Sequence, residues 1–382
     1  IKILLAQEVA DGRLSAENRA ELLASMTDEV AELVLANNYD QNLALANGLA
    51  QAVSVAPVHE RWMCVLEEAG LLDRDLENLP TSAEMEHRIH NGEGLTAPEL
   101  ATLLAYTKIH LENEVIASDL PDDPYFADRL ARYFPPRLRE SHSDIMRGHR
   151  LQREIIATVT VNRFVNSSGI TSYYRLNDEL GASPVEVVRA HLAARAIFRL
   201  GLHEEQTAAL DNKIPADVQT SMRIQFRNLV ERGTRWVLAN RRSPIDVGAV
   251  VEELADDVAR IKESISELQV GRGKERFDSM CARYTEAGVD QELATVVATA
   301  QVTYQSLDIA TNAQRLGADV IDVAAVHFQL AEETGIDLLR AHIGALPRTD
   351  RWETMARSAM REDLHQLQSR LTAQAMSCGG PD

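Results

Sequence analysis

ADVQTSMRIQFRNLVERGTRWVLA, residues 216–239, decides the fold. Met222, Phe226, Leu229, Val230, Trp236 and Val237 recur at three- and four-residue spacings, which on a helix brings them on or near one face, with charged side chains on the other. The same period runs through Ile145 to Val165, Ile245 to Leu268 and Trp352 to Met376. Helix starts are marked by Thr96-Ala97-Pro98-Glu99, Ser183-Pro184-Val185-Glu186 and Asp350-Arg351-Trp352-Glu353. In each, a cap oxygen can accept from a free backbone N–H of the first turn while the Glu reaches back to the cap N–H. Stops are expected at Pro135-Pro136, Gly169, Gly201 and Gly335. Thr158-Val159-Thr160-Val161 is β-branched but lies inside a helical period, so it reads as helix. Val270-Gly271-Arg272-Gly273-Lys274 interrupts the period and is expected to be a linker or hinge. The end, Ser377 to Asp382, is expected to fray. The predicted class is all-α: an extended multi-helix array with short loops and no solenoid repeat.

Composition agrees. Hydrophobic residues make up 45% and charged residues 25%, which is globular, while the aromatic share of 5% disfavours sheet. A net charge of -19 argues against a nucleic-acid groove and an anionic membrane surface as partners, since both select positive potential. Cys64, Cys281 and Cys378 are widely spaced and match no metal pattern, as expected of thiols in a reducing cytoplasm. No apolar run reaches the roughly 20 residues of a membrane span, and no secretory leader is read. The chain opens without Met on the apolar run Ile1, Ile3, Leu4, Leu5, and is expected to be cut from something longer.

Catalytic patterns are scarce. The sequence has no G-x-G-x-x-G after a strand, no G-x-x-x-x-G-K, no G-x-S-x-G and no H-E-x-x-H. The pairs Glu84/His87 and Glu362/His365 have the i, i+3 spacing that di-iron bundles use, but so few pairs among eleven His are expected by chance. Asp256-Asp257 reads as a solvated face. No catalytic, cofactor-binding or metal residue is assigned.

Two features remain. Asn37-Asn38-Tyr39-Asp40-Gln41-Asn42 is a polar knot between apolar flanks. Four amides, a carboxylate and a phenol are costly to bury unless satisfied, so the knot is expected at a solvated turn or in a polar network against another surface. Arg132, Arg137, Arg139, Arg147, Arg150 and Arg153, with His142 and His149, form the one local basic cluster. Such a cluster suits either a carboxylate or phosphate ligand or, as favoured here, the protein's own acids across an interface. The candidate junction residues are therefore Asn38, Tyr39, Asp40, Gln41, Asn42, Arg137, Arg139, Arg147, Arg150 and Arg153.

The chain resembles the C-terminal region of the large NAD-specific glutamate dehydrogenases of bacteria. The resemblance rests on Ile1 to Leu5, Met26 to Val30, Asn38 to Asn42, Leu95 to Ala105, Ser118 to Tyr125, Tyr133-Phe134-Pro135, His149 to Leu151, Arg153 to Thr158, Gly181-Ala182-Ser183, Thr234-Arg235-Trp236 and Leu371 to Gln374, in that order. It implies oxidative deamination of L-glutamate to 2-oxoglutarate and ammonia with NAD as hydride acceptor. It also implies that the catalytic lysine, the acid–base aspartate and the dinucleotide fingerprint lie upstream of Ile1, so that NAD is bound by the upstream catalytic domain and not by this chain.

On that resemblance residues 1–45 would be the end of the catalytic region and its junction. Residues 46–382 would be a helical domain, with a hinge near 270–274. Its partners would be the upstream catalytic domain of the same polypeptide and further copies in a cytoplasmic homo-oligomer, for which the family suggests a tetramer. Two alternatives stay open: a stand-alone helical binding or regulatory module, and an allosteric amino-acid site at the arginine cluster.

Overall fold

The computed structural model describes residues 1–347 and 351–378, without the side chain of Asp144. Among these the chain forms twenty α-helices, two 3-10 turns and no strand, so the all-α expectation holds. It divides into two compact units: Ile1–Asp178 with Ala182–Val188, and Glu179–Gly181 with the chain from Arg189 onward.

The first unit contains α1 (Lys2–Ala10), α2 (Ala16–Ser25), α3 (Thr27–Leu49), α4 (Ala56–Glu68), α5 (Ser82–His90), α6 (Ala97–Ala117), α7 (Ala127–Arg132), α8 (Pro136–Met146) and α9 (Gln152–Ser168). Helices α3, α6 and α9 pack on one another. Leu100, Leu103, Leu111, Ile156, Val161 and Phe164 supply fully buried surface from α6 and α9. The reciprocal caps form as expected: Thr96 N donates to Glu99 Oε2 at 2.7 Å. A further capping box escapes the sequence reading: Glu84 N donates to Thr81 Oγ1 at 3.3 Å and Thr81 N to Glu84 Oε2 at 2.8 Å. Glu84 thus starts α5 instead of pairing with His87. The long connection from α4 to α5 is pinned by buried Arg74, whose guanidinium bonds Glu60 at 2.8 Å, Glu67 at 2.6 Å and the Pro80 carbonyl at 3.0 Å.

The boundary between units runs through α10 (Ser172–Leu180) and α11 (Pro184–Ile197). The Ser183/Glu186 cap forms with both bonds at 3.3 Å. The second unit continues with α12 (Leu200–Ala208), α13 (Ala216–Asn240), α14 (Val247–Leu268), α15 (Gly271–Glu286), α16 (Gln291–Thr303), α17 (Ser306–Leu316), α18 (Val320–Glu333), α19 (Ile336–Ala345) and α20 (Arg351–Ser377). Helix α13 buries Met222, Phe226, Leu229, Val230, Trp236 and Val237, the face read from its period. Each such side chain contributes about 1.5–3 kcal/mol when fully buried. Gly233 lies on the same face because α11 comes too close for a side chain: a Cβ there would meet Phe198 Cε2 at 2.5 Å.

Three local expectations need correction, and a fourth falls outside the described residues. The helix expected from Ile145 to Val165 is broken at 147–151, where Gly148 and His149 separate α8 from α9. The stop expected at Gly201 falls inside α12; the chain turns instead at Arg199, held left-handed at φ 53°. That conformation is uncommon for a residue with a Cβ. The carbonyl it leaves at Phe198 accepts from Lys262 Nζ at 2.8 Å. The expected glycine-rich linker shrinks to Gln269 and Val270, because Gly271 to Lys274 form the first turn of α15. The Asp350 cap lies outside the described residues.

Candidate functional site

The polar knot is not a turn. Asn37 to Asn42 run through the middle of α3, and every residue from 31 to 40 is exposed. Asn42 Nδ2 donates to Asn38 O at 3.0 Å and to Asn38 Oδ1 at 3.1 Å, so these two exposed amides bond to each other along the helix. Apolar side chains are open beside them: Val34 is 61% exposed and Leu35 67%. The C-terminal part of α3 is anchored. Ala44 is buried, and a Cβ at Gly48 would stand 3.5 Å from Ile170 Cδ1.

The arginines divide by role. Arg137 N donates to Glu29 Oε2 at 3.2 Å, with its Nε 3.7 Å from Glu29 Oε1, tying α8 to the start of α3. Arg150 Nη2 donates to Gln7 Oε1 of α1 at 3.4 Å. Arg153 turns inward: its Nη2 donates to the Ile116 and Ser118 carbonyls at 2.7 Å each and its Nη1 pairs with Asp122, so it caps the C-terminus of α6. Arg139 is half-buried, its Nε without a hydrogen-bond partner among the described residues, and Arg147 is exposed. Thus Arg137 and Arg150 come together with α1 and α3, while Arg153 belongs to the helix framework.

Lys108 of α6 was not singled out by the sequence. It is buried and its Nζ has no hydrogen-bond partner among the described residues. Loss of hydration pushes its pKa down to about 8, partly offset by the carboxylates of Glu112 and Asp40. Nearby, Trp62 Nε1 donates to Thr107 Oγ1 at 2.8 Å, and its ring stacks on Tyr174 at 5.2 Å.

The second unit holds a buried polar network, also unread in the sequence. His365 of α20 pairs with Asp308 of α17, whose Oδ1 accepts from Trp236 Nε1 at 2.9 Å. Burial alone would lower the imidazole pKa; Tyr304 and Asp308 outweigh it and push it up to about 9. His327 takes the opposite course, pushed down to about 3 by burial and by the charge on His365. Its Nε2–H donates to Gln305 Oε1 at 2.9 Å and its Nδ1 meets the Thr372 hydroxyl at 2.9 Å. Sequence spacing had offered His365 only Glu362; its actual partner is 57 positions away in numbering, at Asp308. No group of three metal-ligating side chains occurs among the described residues.

The glycine-rich helix start at Gly271-x-Gly273 does not fit a dinucleotide. A pyrophosphate needs free N–H groups at a helix N-terminus behind a glycine turn. At Gly271-x-Gly273 the Glu332 carboxylate already takes the Arg272 N–H at 3.2 Å. A Cβ at Gly271 would collide with that carboxylate, so the glycine, at φ 49°, is there for Glu332.

Fold and surface together define an all-α helical region that carries an open helix near its start. The family is specified by comparison. The model "Glutamate dehydrogenase, C-terminal" matches residues 92–382, and "Bacterial NAD-glutamate dehydrogenase, catalytic domain" matches residues 1–48. The chain belongs to the glutamate dehydrogenase family, as a C-terminal region of it. It is 38% identical over 381 residues to an NAD-specific glutamate dehydrogenase of Mycobacterium tuberculosis, covering 100% of this chain and 23% of that protein. Its identity to the NAD-specific glutamate dehydrogenase of Halomonas elongata is 36%, over 100% of this chain and 24% of that protein. For that of Pseudomonas aeruginosa it is 36%, over 98% and 23%. The chain therefore spans about a quarter of the length of these curated relatives.

Proposed function

We propose that this chain is the C-terminal helical region of an NAD-dependent glutamate dehydrogenase, the whole enzyme converting L-glutamate, NAD and water to 2-oxoglutarate, ammonia and NADH. Chemistry and NAD binding belong to sequence upstream, and this region supports the catalytic domain and a cytoplasmic homo-oligomer. The observation that carries the reading is the two-part family match. Residues 1–48 match a catalytic-domain model and residues 92–382 a separate C-terminal model.

In this reading α1, α2 and most of α3 are the edge of the catalytic domain, and the junction falls near residue 45. Arg137–Glu29 and Arg150–Gln7 support it, since each joins the helical domain to that edge.

The test compares NADH formation from glutamate by the full-length polypeptide and by this chain alone. Activity is expected only in the full-length protein; turnover by the chain alone would overturn the reading.

A further inference from the structure

Helix α3 has two sides of different character. At about 100° per residue, Val34, Asn38, Asn42, Leu35 and Tyr39 fall within an arc of about 140°. Leu33, Asp40, Ala44 and Gly48 fall on the opposite side. The C-terminal members of the second set face the body of the first unit: Ala44 is buried and Gly48 abuts Ile170 and Leu100, while the exposed Asp40 carboxylate on the same side acts on Lys108 of α6. The first set contains the two most open large apolar residues of the helix, Val34 and Leu35, together with Tyr39 at 44%. A helix presenting a branched aliphatic, a leucine and a tyrosine between two asparagines along one arc is built to lie in a groove, not to face water.

We infer that the Val34–Leu35–Asn38–Tyr39–Asn42 arc of α3 is a docking face, and that its occupant is the upstream catalytic segment of the same polypeptide. The groove is apolar where it meets Val34 and Leu35, and offers backbone or side-chain polar groups to the two asparagines. This rests on the functional reading above and goes further by dividing the knot. Asn38, Tyr39 and Asn42 face the catalytic segment; Asp40 faces Lys108 and the helical domain. The occupant follows from the chain itself. Residues 1–48 match a catalytic-domain model, and the relatives are about four times longer than this chain. A helix of that domain, seen with only this chain around it, would be open along the arc that the missing segment covers.

The test is cysteine labelling of the full-length polypeptide, read peptide by peptide. Val34→Cys and Leu35→Cys should react with a maleimide at least tenfold more slowly in the native protein than in the denatured one. Labelling within twofold of the denatured rate at both positions overturns the inference. Protection that vanishes on dilution from oligomer to single subunit overturns it too, because the occupant is then a second copy. If either variant fails to fold, hydrogen exchange of the unsubstituted 31–42 peptide decides. Protection by tenfold or more supports the inference, and exchange at the rate of a solvent-exposed helix refutes it. NADH formation by the unsubstituted enzyme tests the functional reading separately, so either can fail alone.

Discussion

Replacing His365 by Leu should loosen α20 from the second unit. The imidazole is 5% exposed and its pKa is pushed from 6.5 up to about 9. At about 1.4 kcal/mol per pH unit, that displacement corresponds to about 3 kcal/mol of proton-linked stability. Removing one partner also strands Asp308 with only the Trp236 N–H. Breaking a buried pair in this way costs about 3–5 kcal/mol, whereas replacing both partners by apolar groups is often nearly neutral. His365→Leu should therefore cost about 3 kcal/mol, and the double variant His365→Leu/Asp308→Leu should recover most of it. The pH dependence has a definite sign. His365 gains a proton's worth of stability on folding, so its contribution is complete below pH 6.5 and is lost as pH rises toward about 9. Asp308 is held below its ordinary 3.8: burial would raise it, but His365 and Trp236 outweigh that, so its contribution is lost on acidification. The pair is thus strongest between about pH 4 and 6.5. Hydrogen exchange of α17 and α20 peptides in the full-length protein reads the local opening free energy. A cost under about 1 kcal/mol, or an unsubstituted protein whose α20 protection does not fall between pH 6.5 and 9, would refute the reasoning.

Other sites give sharper local tests. Gly233→Ala drives a Cβ into the fully buried Phe198 ring, and overpacking of this kind costs about 1–3 kcal/mol, measured as lost protection of α13. Lys108→Met removes a buried amine with no hydrogen-bond partner; it should stabilise the first unit near neutral pH. It should also abolish a gain in stability on raising pH from about 8 toward 10.5, the range over which the folded amine is already neutral and the unfolded one is not. Arg199→Gly relieves a left-handed residue and should stabilise by about 1 kcal/mol. It also removes a cation beside Lys262, whose pKa burial and Arg199 together hold near 8, so the Lys262 pKa should rise, read by NMR of the labelled amine.

Much of the fold was legible because local chemistry and tertiary packing agreed. The α13 period named its buried face residue by residue, and the Thr96/Glu99 and Ser183/Glu186 caps sit where their spacing put them. The misreadings have a common cause: they are places where a distant group decides a local conformation. Gly201 looked like a stop, yet Lys262, on another helix, caps the carbonyl at Phe198 and the chain turns at Arg199. Gly271 looked like part of a linker, yet it opens α15 with Glu332 of α18 filling the space beside it. Arg153 stands among the candidate interface arginines in sequence, yet two carbonyls at the end of α6 claim it. The His365–Asp308 pair had no sequence signal, since its members come from α20 and α17 and share no spacing rule.

The polar knot shows the same limit from the other side. Six polar residues inside an apolar run suggested a solvated turn or a polar network against another surface, because in water a lone helix gains little from amides and a buried one must satisfy them. Helix α3 resolves the conflict by azimuth. Asp40 lies on the Lys108 side, and its charge partly offsets the burial of an amine that lacks a hydrogen-bond partner among the described residues. Asn38 and Asn42 bond to each other on the opposite arc, so their amides cost little while exposed and remain able to meet a second surface. Val34 and Leu35 on that arc gain only when such a surface arrives, each contributing about 1.5–3 kcal/mol on full burial. Substituting both by Ser in the full-length protein should therefore cost several-fold more stability than the same change at exposed Leu76, which sits in the connection between α4 and α5. Equal costs at the two places would mean that the open arc of α3 has no partner.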